Sequence, residues 1–314
     1  MEVPSEPKKI LIIKLGALGD VIMAEGCMRC VRQHYPDAHI TLITEPLYAR
    51  LMVASPHIDA VVPYKRMSRW NLAHFRAAKK TLLAEGFDTV IDMQNSSHSR
   101  RFQKWLGAAF ISSTSSHASV RYNRDASRRL ASRDYLAEQL ASIGIDVSVG
   151  YRSDITWAAH DVAPILRKAG VDDGFAFLIP GSAARHPLKR WPHYHHLAET
   201  LAARGISCVT APGPDELDLC RDLPATMLMD GDKPLTFNQI IGLGQHCRFV
   251  IGNDTGPTHL MAAAQTKGVA LFGGHSPVWN TGIDEIYQVL EKPELQTITV
   301  DEVMAQVDVL ISSD

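Results

Sequence analysis

The sequence predicts an α/β protein of two Rossmann-like domains, each a doubly wound parallel sheet flanked by helices. The chain has 314 residues, enough for two domains of ordinary size. Two series of alternating strand and helix patterns follow one another along the chain. Each series opens with an apolar strand, at Lys9–Leu15 and at Phe175–Ile179. We therefore assign residues 1–157 to an N-terminal domain and residues 158–314 to a C-terminal domain.

The first series begins with the β-branched run Lys9–Leu15, which passes through a glycine-bearing turn into a helix that reaches about His34. The run Ser112–Ser119 is rich in Ser and Thr, has no periodicity and is interpreted as a loop facing the cleft. The remaining predicted strands are His39–Thr44, Ala60–Pro63 and Thr89–Met93, and the remaining helices lie near Leu47–Ala54, Leu72–Glu85 and Ser127–Ile143.

The second series has its strands at Phe175–Ile179, Ile206–Ala211, Thr226–Met229, Phe249–Gly252 and Val269–Phe272. Its helical patterns lie near Val162–Ala169, His193–Arg204, Glu216–Leu223, Phe237–His246 and Thr258–Ala264. The amphipathic segment Asp301–Ile311 is expected to be a helix that packs back across the domain junction. Doubly wound units bind ligands at the carboxyl ends of their strands. We therefore expect the loops after Leu15, Ile179, Ala211 and Ile251 to surround one interdomain cleft.

The composition points to a soluble cytoplasmic protein. Hydrophobic residues make up 46% and charged residues 21%, which is ordinary for a globular chain with a core. No run of about 18 apolar residues is present, and the first residues lack the order of a signal peptide. Five cysteines are too few for a disulfide framework, and the isolated Cys27-Met28-Arg29-Cys30 is interpreted as structural.

Charge differs between the two halves of the chain. Residues 1–157 carry 21 Lys and Arg against 15 Asp and Glu, whereas residues 158–314 carry 11 against 19. The basic excess is concentrated between Ala60 and Arg133. A basic half indicates an anionic partner, such as phosphate, a carboxylated sugar or a membrane surface. On charge alone, a solvated basic face explains the pattern equally well.

The strongest local signal is the run from Phe249 to Ala264, in which an apolar strand enters a tight turn and then a helix. Thr255 is the candidate N-cap and Pro257 lies in the first turn. Such a helix start binds anions through unpaired N–H groups, and Gly256 lets a phosphate approach the backbone. His259 lies near the first turn, where its ring could meet the same phosphate. The plain alternative is that Asp254 and Thr255 only cap the helix and that His259 is an ordinary surface histidine.

Two further turns of the second series carry charged residues that could meet a ligand in the cleft. A strand ends in the turn Gly181-Ser182, and Lys189 then precedes a helix, where its charge can meet a diphosphate. The alternative is a solvated pair of cations, Lys189 and Arg190, beside a packing tryptophan. Glu216 stands at another helix start, where it either complements the dipole or holds a ribose or sugar hydroxyl.

Asp20 is the candidate general base. It ends the turn Gly16-Ala17-Leu18-Gly19-Asp20, which is not the GxGxxG pattern of dinucleotide binding. A carboxylate at that position can accept the proton of an attacking hydroxyl, although an Asp at a helix start is usually a cap. The triplet Asp230-Gly231-Asp232 is explained by turn chemistry, and no metal site is predicted.

Taken together and in order, these segments resemble glycosyltransferase family 9, the ADP-heptose:lipopolysaccharide heptosyltransferases. The likeness rests on the runs Ile10–Asp20, Asp92–Arg100, Lys189–Pro192, Asp254–His259 and Ala270–Pro277. The resemblance implies the GT-B arrangement of two Rossmann-like domains, and metal-independent, inverting transfer of heptose from ADP-heptose, with no cofactor. It also implies a partner that is an anionic glycolipid of the lipopolysaccharide core and no nucleic acid. Peripheral contact with the inner face of the inner membrane is compatible with these expectations.

By the same resemblance, Asp20 is the base, Lys189 meets the donor diphosphate, and Asp254, Thr255, Gly256 and His259 form the donor turn. Ser182, Glu216 and Pro257 complete the donor assignments, and the acceptor assignments are Gly19, Arg100, Arg101, Arg121 and Arg124.

The sequence departs from the family pattern at two places. Ala24-Glu25-Gly26 replaces a Thr-Leu-Pro-like turn, and Gly273-Gly274-His275 replaces Gly-Pro-Thr. Both departures are expected near the sugar or the acceptor. Alternative functions are transfer of another sugar, glycosylation of protein or polysaccharide, epimerisation or hydrolysis of a nucleotide-sugar on the same fold, and binding of the donor without catalysis.

Overall fold

The structure is a computed structural model that describes residues 6–66, 72–125, 127–184, 186–274 and 277–312, with the backbone alone for 72–75. The chain divides into two compact units, Met1–Ser153 and Asp154–Asp314, and each is described by itself. Each described unit is a six-stranded parallel sheet with helices between the strands, so the predicted fold class is confirmed.

The first unit has the sheet order β3-β2-β1-β4-β5-β6. Its strands are β1 (Lys9–Ile13), β2 (His39–Thr44), β3 (Ala60–Pro63), β4 (Thr89–Asp92), β5 (Phe110–Ser113) and β6 (Val120–Arg121). Its helices are α1 (Leu18–Met23), α2 (Glu25–His34), α3 (Pro46–Met52), α4 (Leu72–Glu85), α5 (Arg100–Leu106) and α6 (Ser132–Ala141). Strand β1 lies between β2 and β4, and four of its five side chains are buried. Its apolar sequence suits this central position.

The second unit repeats this topology with the order β12-β11-β10-β7-β8-β9. Its strands are β7 (Phe175–Ile179), β8 (Cys208–Thr210), β9 (Thr226–Met227), β10 (Cys247–Asn253), β11 (Gly268–Gly273) and β12 (Gln288–Lys292). Its helices are α7 (Ala163–Ala169), α8 (Tyr194–Ala203), α9 (Leu217–Arg221), α10 (Phe237–Leu243), α11 (Gly256–Ala263) and α12 (Val300–Ser312). In both units the first and fourth strands therefore lie side by side at the centre.

Helix α12 packs on the sheet of its own unit. Its buried face includes Val303, Val307 and Leu310, which belong to the same core cluster as Phe249 and Leu271. The expected amphipathic helix therefore forms, but its apolar face is used within the second unit, because the outer side of β10 and β11 must be covered.

The serine-rich run expected to be a loop is partly strand. Ser112 and Ser113 are buried in β5, and their polar groups bond inside the unit. Gln139 Nε2 donates to Ser112 O at 3.3 Å, and Ser113 Oγ donates to Gln103 Oε1 at 3.2 Å. The strand was missed because its polar side chains hide the apolar pattern, and only Thr114–Ser119 lie in the connecting loop.

Other differences from the predicted elements have similar causes. The edge strands β6 and β12 were not predicted, because the first has two residues and the second is half-exposed. The expected helix from Ser127 begins at Ser132 instead. Cys27 and Cys30 are buried free thiols of α2, and burial raises the pKa of both, in agreement with a structural role.

Helix lengths also bear on membrane insertion. Among the described residues, none of the helices combines the length and the apolar character needed to span a bilayer.

Candidate active site

The predicted site residues follow the central pair of strands in each unit. Ile13 of β1 pairs with Asp92 of β4, and Ile179 of β7 pairs with Gly252 of β10. In each unit the strands that follow the first strand lie on one side of this pair, and those that follow the fourth strand lie on the other. Crevices at such switch points, beyond the carboxyl ends of the strands, are where doubly wound units bind ligands. Asp20 lies beyond the first switch point, and Lys189 and Asp254 lie beyond the second.

In the second unit, β10 ends at Asn253 and α11 begins three residues later, at Gly256. Thr255 occupies the N-cap position with an extended backbone, and Pro257 lies in the first turn, as predicted. Within the described chain, no side chain accepts a hydrogen bond at this cap. The free N–H groups of the first turn and the helix dipole make this end suitable for a phosphate. Gly252 allows the close packing, since a Cβ there would lie 2.3 Å from Thr258 Oγ1.

Asp254 joins two cationic or ionisable side chains at this helix start. Its Oδ2 accepts from Lys189 Nζ at 2.5 Å, and its Oδ1 lies 3.0 Å from His259 Nε2. Burial raises the pKa of Asp254, but hydrogen bonds and charge from His259 and Lys189 outweigh burial and hold this pKa well below its usual range. The carboxylate therefore stays ionised and fixes the Lys189 ammonium beside the helix N-terminus.

The loop that carries Lys189 is built around Ser182. The Ser182 hydroxyl is buried, donates to His186 O at 2.8 Å and accepts from Arg190 Nε at 3.2 Å. Arg190 Nη2 also donates to Ser182 O at 2.8 Å. Lys189 ends a short 3-10 turn, Pro187–Lys189. The Ser182 side chain thus holds the loop together from its buried side, whereas the Lys189 side chain remains partly exposed.

Asn253 is a site residue that the sequence reasoning missed. The side chain is fully buried; its Nδ2 donates to Pro180 O at 2.8 Å, and its Oδ1 accepts from Trp191 N and Tyr194 OH, both at 3.3 Å. Asn253 thereby connects the loops after β7 and β10 and the start of α8. The signal available in the sequence was a polar residue at the end of an apolar strand.

Glu216 lies at the start of α9, next to the loop after β7. Its Oε2 accepts from Gly213 N at 2.9 Å. A Cβ on Gly181 would lie 2.1 Å from the Glu216 carboxyl group, so the carboxylate rests directly on the glycine backbone. The structure therefore brings Glu216 and the Gly181-Ser182 turn together at the carboxyl edge of this sheet.

In the first unit, Asp20 lies in the first turn of α1 and is partly exposed. Its Oδ2 accepts from Ala17 N at 3.0 Å, which is the capping contact that a carboxylate at this position makes. Only one oxygen has this contact. Nearby, Lys14 is buried and donates from Nζ to Met93 O at 3.2 Å. Burial lowers the pKa of Lys14, against the charges of Asp20 and Asp92.

The predicted acceptor residues occupy different positions. Gly19 lies in the first turn of α1, and Arg100 and Arg101 lie exposed in the first turn of α5, which follows β4. Arg121 ends β6, three strands away from β1, and the Arg124 guanidinium stacks 3.8 Å from the centre of the Tyr135 ring. The structure therefore groups Arg100 and Arg101 near the switch point and places Arg121 and Arg124 at the far edge of the sheet.

Arg66 is a further basic side chain beside the loop that precedes Asp20. Arg66 pairs with Glu45 at 2.5 Å, and a Cβ on Gly16 would lie 3.4 Å from the Arg66 guanidinium. Burial, Arg101 and Arg66 lower the pKa of His98, whose Nε2 lies 3.1 Å from Tyr64 OH. Sequence reasoning counted Arg66 only as part of the basic excess.

The departure Ala24-Glu25-Gly26 is buried within the first unit. Glu25 is fully buried, 3.3 Å from His57 Nε2 and 3.9 Å from Arg29 Nη1. Gly26 packs against backbone, since a Cβ there would lie 2.1 Å from Tyr151 O. Glu25 and Gly26 therefore pack inside the first unit. His275, in the second departure, lies outside the described residues.

Among the residues that the structure describes, no cluster of three or more His, Cys, Asp or Glu side chains is arranged to hold a metal ion. Asp230 forms a tight turn through paired backbone bonds with Lys233, as turn chemistry predicted.

Comparisons with known proteins agree with this arrangement. The model of glycosyltransferase family 9 (heptosyltransferase) matches residues 75–306. Lipopolysaccharide heptosyltransferase 1 of Escherichia coli K12 is 23% identical over 311 residues, covering 93% of this chain and 96% of the relative.

Two solved structures share the fold over nearly the whole chain. A family 9 glycosyltransferase of Veillonella parvula aligns with a TM-score of 0.86 at 20% identity, covering 100% of this chain and 99% of the other. The E. coli heptosyltransferase solved with ADP-2-deoxy-2-fluoro heptose aligns with a TM-score of 0.77 at 20% identity, covering 96% and 99%. Both likenesses support the two-unit GT-B fold.

Proposed function

The chain belongs to glycosyltransferase family 9, and from this premise we propose that it transfers heptose from ADP-heptose to a hydroxyl of the lipopolysaccharide core. The observation that carries the donor half is the Lys189–Asp254–His259 cluster at the uncapped start of α11. The heptosyltransferase relatives and the structure solved with an ADP-heptose analogue support this choice of donor.

In the proposed reaction, the donor diphosphate binds at the start of α11. Its phosphate oxygens accept from backbone N–H groups of Gly256 and Thr258, and the Lys189 ammonium supplies positive charge. As the sugar leaves, negative charge grows on the diphosphate, and these fixed donors stabilise it. Asp254 keeps Lys189 in place, and Glu216 accepts from ribose or sugar hydroxyls. Such stabilisation needs no divalent cation, so we propose metal-independent transfer.

The acceptor half depends on Asp20. Its carboxylate oxygen Oδ1 takes the proton of the acceptor hydroxyl while the hydroxyl oxygen bonds to the anomeric carbon. The bond from the anomeric carbon to the phosphate oxygen breaks in the same step, and ADP leaves. A single displacement of this kind inverts the anomeric configuration. The Ala17 N–H fixes the other oxygen of Asp20, which orients the carboxylate.

We propose that the acceptor is an anionic, Kdo-bearing lipid core. The basic excess between Ala60 and Arg133 supports an anionic partner, and Arg100 and Arg101 are exposed beside the switch point of the first unit. Arg121 and Arg124 are exposed at the far edge of the same sheet and would add positive charge there. An acceptor of this kind is membrane-bound, so the protein would act in the cytoplasm at the inner face of the inner membrane.

One experiment tests this function. The protein is incubated with ADP-heptose, ADP-glucose or UDP-glucose, with and without a heptose-deficient Kdo-bearing core and with EDTA present, and products are measured by mass spectrometry. We expect a heptosylated core only with ADP-heptose. Transfer of glucose alone would overturn the heptose assignment, and loss of transfer in EDTA would overturn metal independence. Free sugar released without acceptor would indicate a hydrolase, and an altered donor would indicate an epimerase.

A further inference from the structure

Gln94 follows β4 and reaches the loop that leads to Asp20. Its Oε1 accepts from Leu15 N at 2.8 Å and from Gly16 N at 3.2 Å. Because both partners are backbone donors, the atom that faces them must be the amide oxygen. Ile13 and Asp92 are paired in the sheet, so Gln94 bridges the switch point at the residues directly after these strands.

Gln94 is itself held firmly by the end of β4. Its backbone N–H donates to Asp92 Oδ1 at 2.9 Å. Asp92 is fully buried and also accepts from Gln103 Nε2 at 2.6 Å. The preceding residue, Met93, accepts from buried Lys14 through its carbonyl oxygen. The Gln94 side chain thus extends from a rigid, buried network.

The loop that Gln94 contacts is also held by the buried Leu15 side chain and by Glu45 N, which donates to Leu15 O at 3.3 Å. Gly16 has a φ of +140°, and a Cβ there would lie 2.6 Å from the Tyr48 ring, so only glycine fits. Glycine adds no side-chain packing, so the bonds from Leu15 N and Gly16 N to Gln94 are the anchor of this part of the backbone. The next N–H group along the chain, that of Ala17, donates to the Asp20 carboxylate.

We propose that Gln94 is a positioning residue for the base: its amide oxygen fixes the Leu15-Gly16 backbone and, through Ala17, the Asp20 carboxylate. The inference rests on the proposed role of Asp20. Displacement of a reacting group by about 1 Å is enough to cost on the order of 100-fold in rate. Gln94 therefore controls the rate of transfer without contacting the donor.

The test compares Gln94→Met, Gln94→Glu and a matched control, Gln103→Met. Gln103 bonds to the same Asp92 and is more deeply buried, and among the described residues its side chain bonds to Asp92 and Ser113 and not to the loop from Lys14 to Asp20. Amide hydrogen exchange of residues 15–20 is measured together with kcat and the KM for ADP-heptose. The exchange measurement does not depend on activity, so it separates failure of this inference from failure of the proposed function.

We expect Gln94→Met to speed exchange at Leu15 and Gly16 at least 10-fold and to lower kcat at least 10-fold, with the donor KM within about twofold. Gln94→Glu keeps an acceptor oxygen and is expected to restore slow exchange and most of kcat. Gln103→Met should lower the melting temperature but leave both readouts unchanged. Unchanged exchange or unchanged kcat in Gln94→Met, or equal losses in both Met variants, would overturn the inference. If wild type transfers no sugar, unchanged exchange in Gln94→Met refutes the anchor separately.

Discussion

At the scale of residues, the charged groups of the donor side are paired with one another. Sequence patterns assigned Lys189 and Asp254 to the donor separately, but the structure joins them directly. The two residues are 65 positions apart, and no local pattern reports such a pairing. Asn253 and Gln94 were missed for the same reason, because each bonds across the switch point. Asp20, by contrast, was found at its helix start because that preference is local.

The pairing of Asp254 predicts the effect of removing its charge. Asp254→Asn keeps the shape but leaves Lys189 and His259 without a carboxylate, and a lost charge-assisted bond costs about 1.5–3 kcal/mol. We expect kcat/KM for ADP-heptose to fall by roughly 10- to 100-fold. The control is Asp173→Asn, which removes an exposed carboxylate 2.8 Å from His246 and should have no effect on kcat/KM. Equal kcat/KM in wild type and Asp254→Asn would show that the cluster has no role in donor binding.

At the scale of elements, strands were predicted where apolar runs are long and buried, as in β1 and β7. Short or polar strands were not predicted, because a two-residue edge strand and hydrogen-bonded serines have no apolar sequence pattern. The ends of helices depend on capping contacts. Helix α12 begins with a reciprocal pair, in which Glu302 accepts from Thr299 N at 2.8 Å and Thr299 Oγ1 accepts from Glu302 N at 3.2 Å.

The cap of α12 predicts a pH-dependent stability. Hydrogen bonds from Lys292 and then from Thr299 lower the pKa of Glu302 from 4.5 to about 2. A lowered pKa in the folded state contributes stability above the unfolded value, and this stability is lost as pH falls through the folded value. We expect Glu302→Gln to lower the melting temperature at pH 7. The difference from wild type should shrink as pH falls from about 4.5 towards about 2. A difference that stayed constant over that range would contradict the ionic cap.

The packing of α2 predicts a cost for any side chain at Gly26. Its hypothetical Cβ would lie 2.1 Å from the Tyr151 carbonyl oxygen, and Arg29 donates to Arg152 O at 2.7 Å on the same segment. Backbone must therefore move to admit even a methyl group. We expect Gly26→Ala to lower the free energy of unfolding by about 1–3 kcal/mol in a denaturant titration. An unchanged midpoint and slope would show that the backbone at Tyr151 moves to admit a Cβ at position 26 without loss of stability.

At the scale of the whole molecule, the two-domain fold was predictable because a doubly wound unit repeats one strand–helix pattern. The same strand order in both units places each switch point at the first and fourth strands, so the loops bearing Asp20 and Lys189 could be chosen from the sequence. The acceptor residues were harder to predict. A basic excess is compatible with an anionic partner but does not indicate which arginines would meet it. The four predicted arginines lie in two separate places, Arg100 and Arg101 after the central strand β4, and Arg121 and Arg124 at the far edge of the sheet.

The central claim is that acceptor-dependent transfer from ADP-heptose uses Asp20 as base and needs no metal. The most direct measurement is the rate of ADP release with ADP-heptose, the Kdo-bearing core and EDTA, for wild type and Asp20→Asn. Loss of a general base costs on the order of 100- to 10,000-fold in kcat. We predict release only when acceptor is present, and a fall of that size in Asp20→Asn. Release without acceptor, or an undiminished rate in Asp20→Asn, would contradict the mechanism.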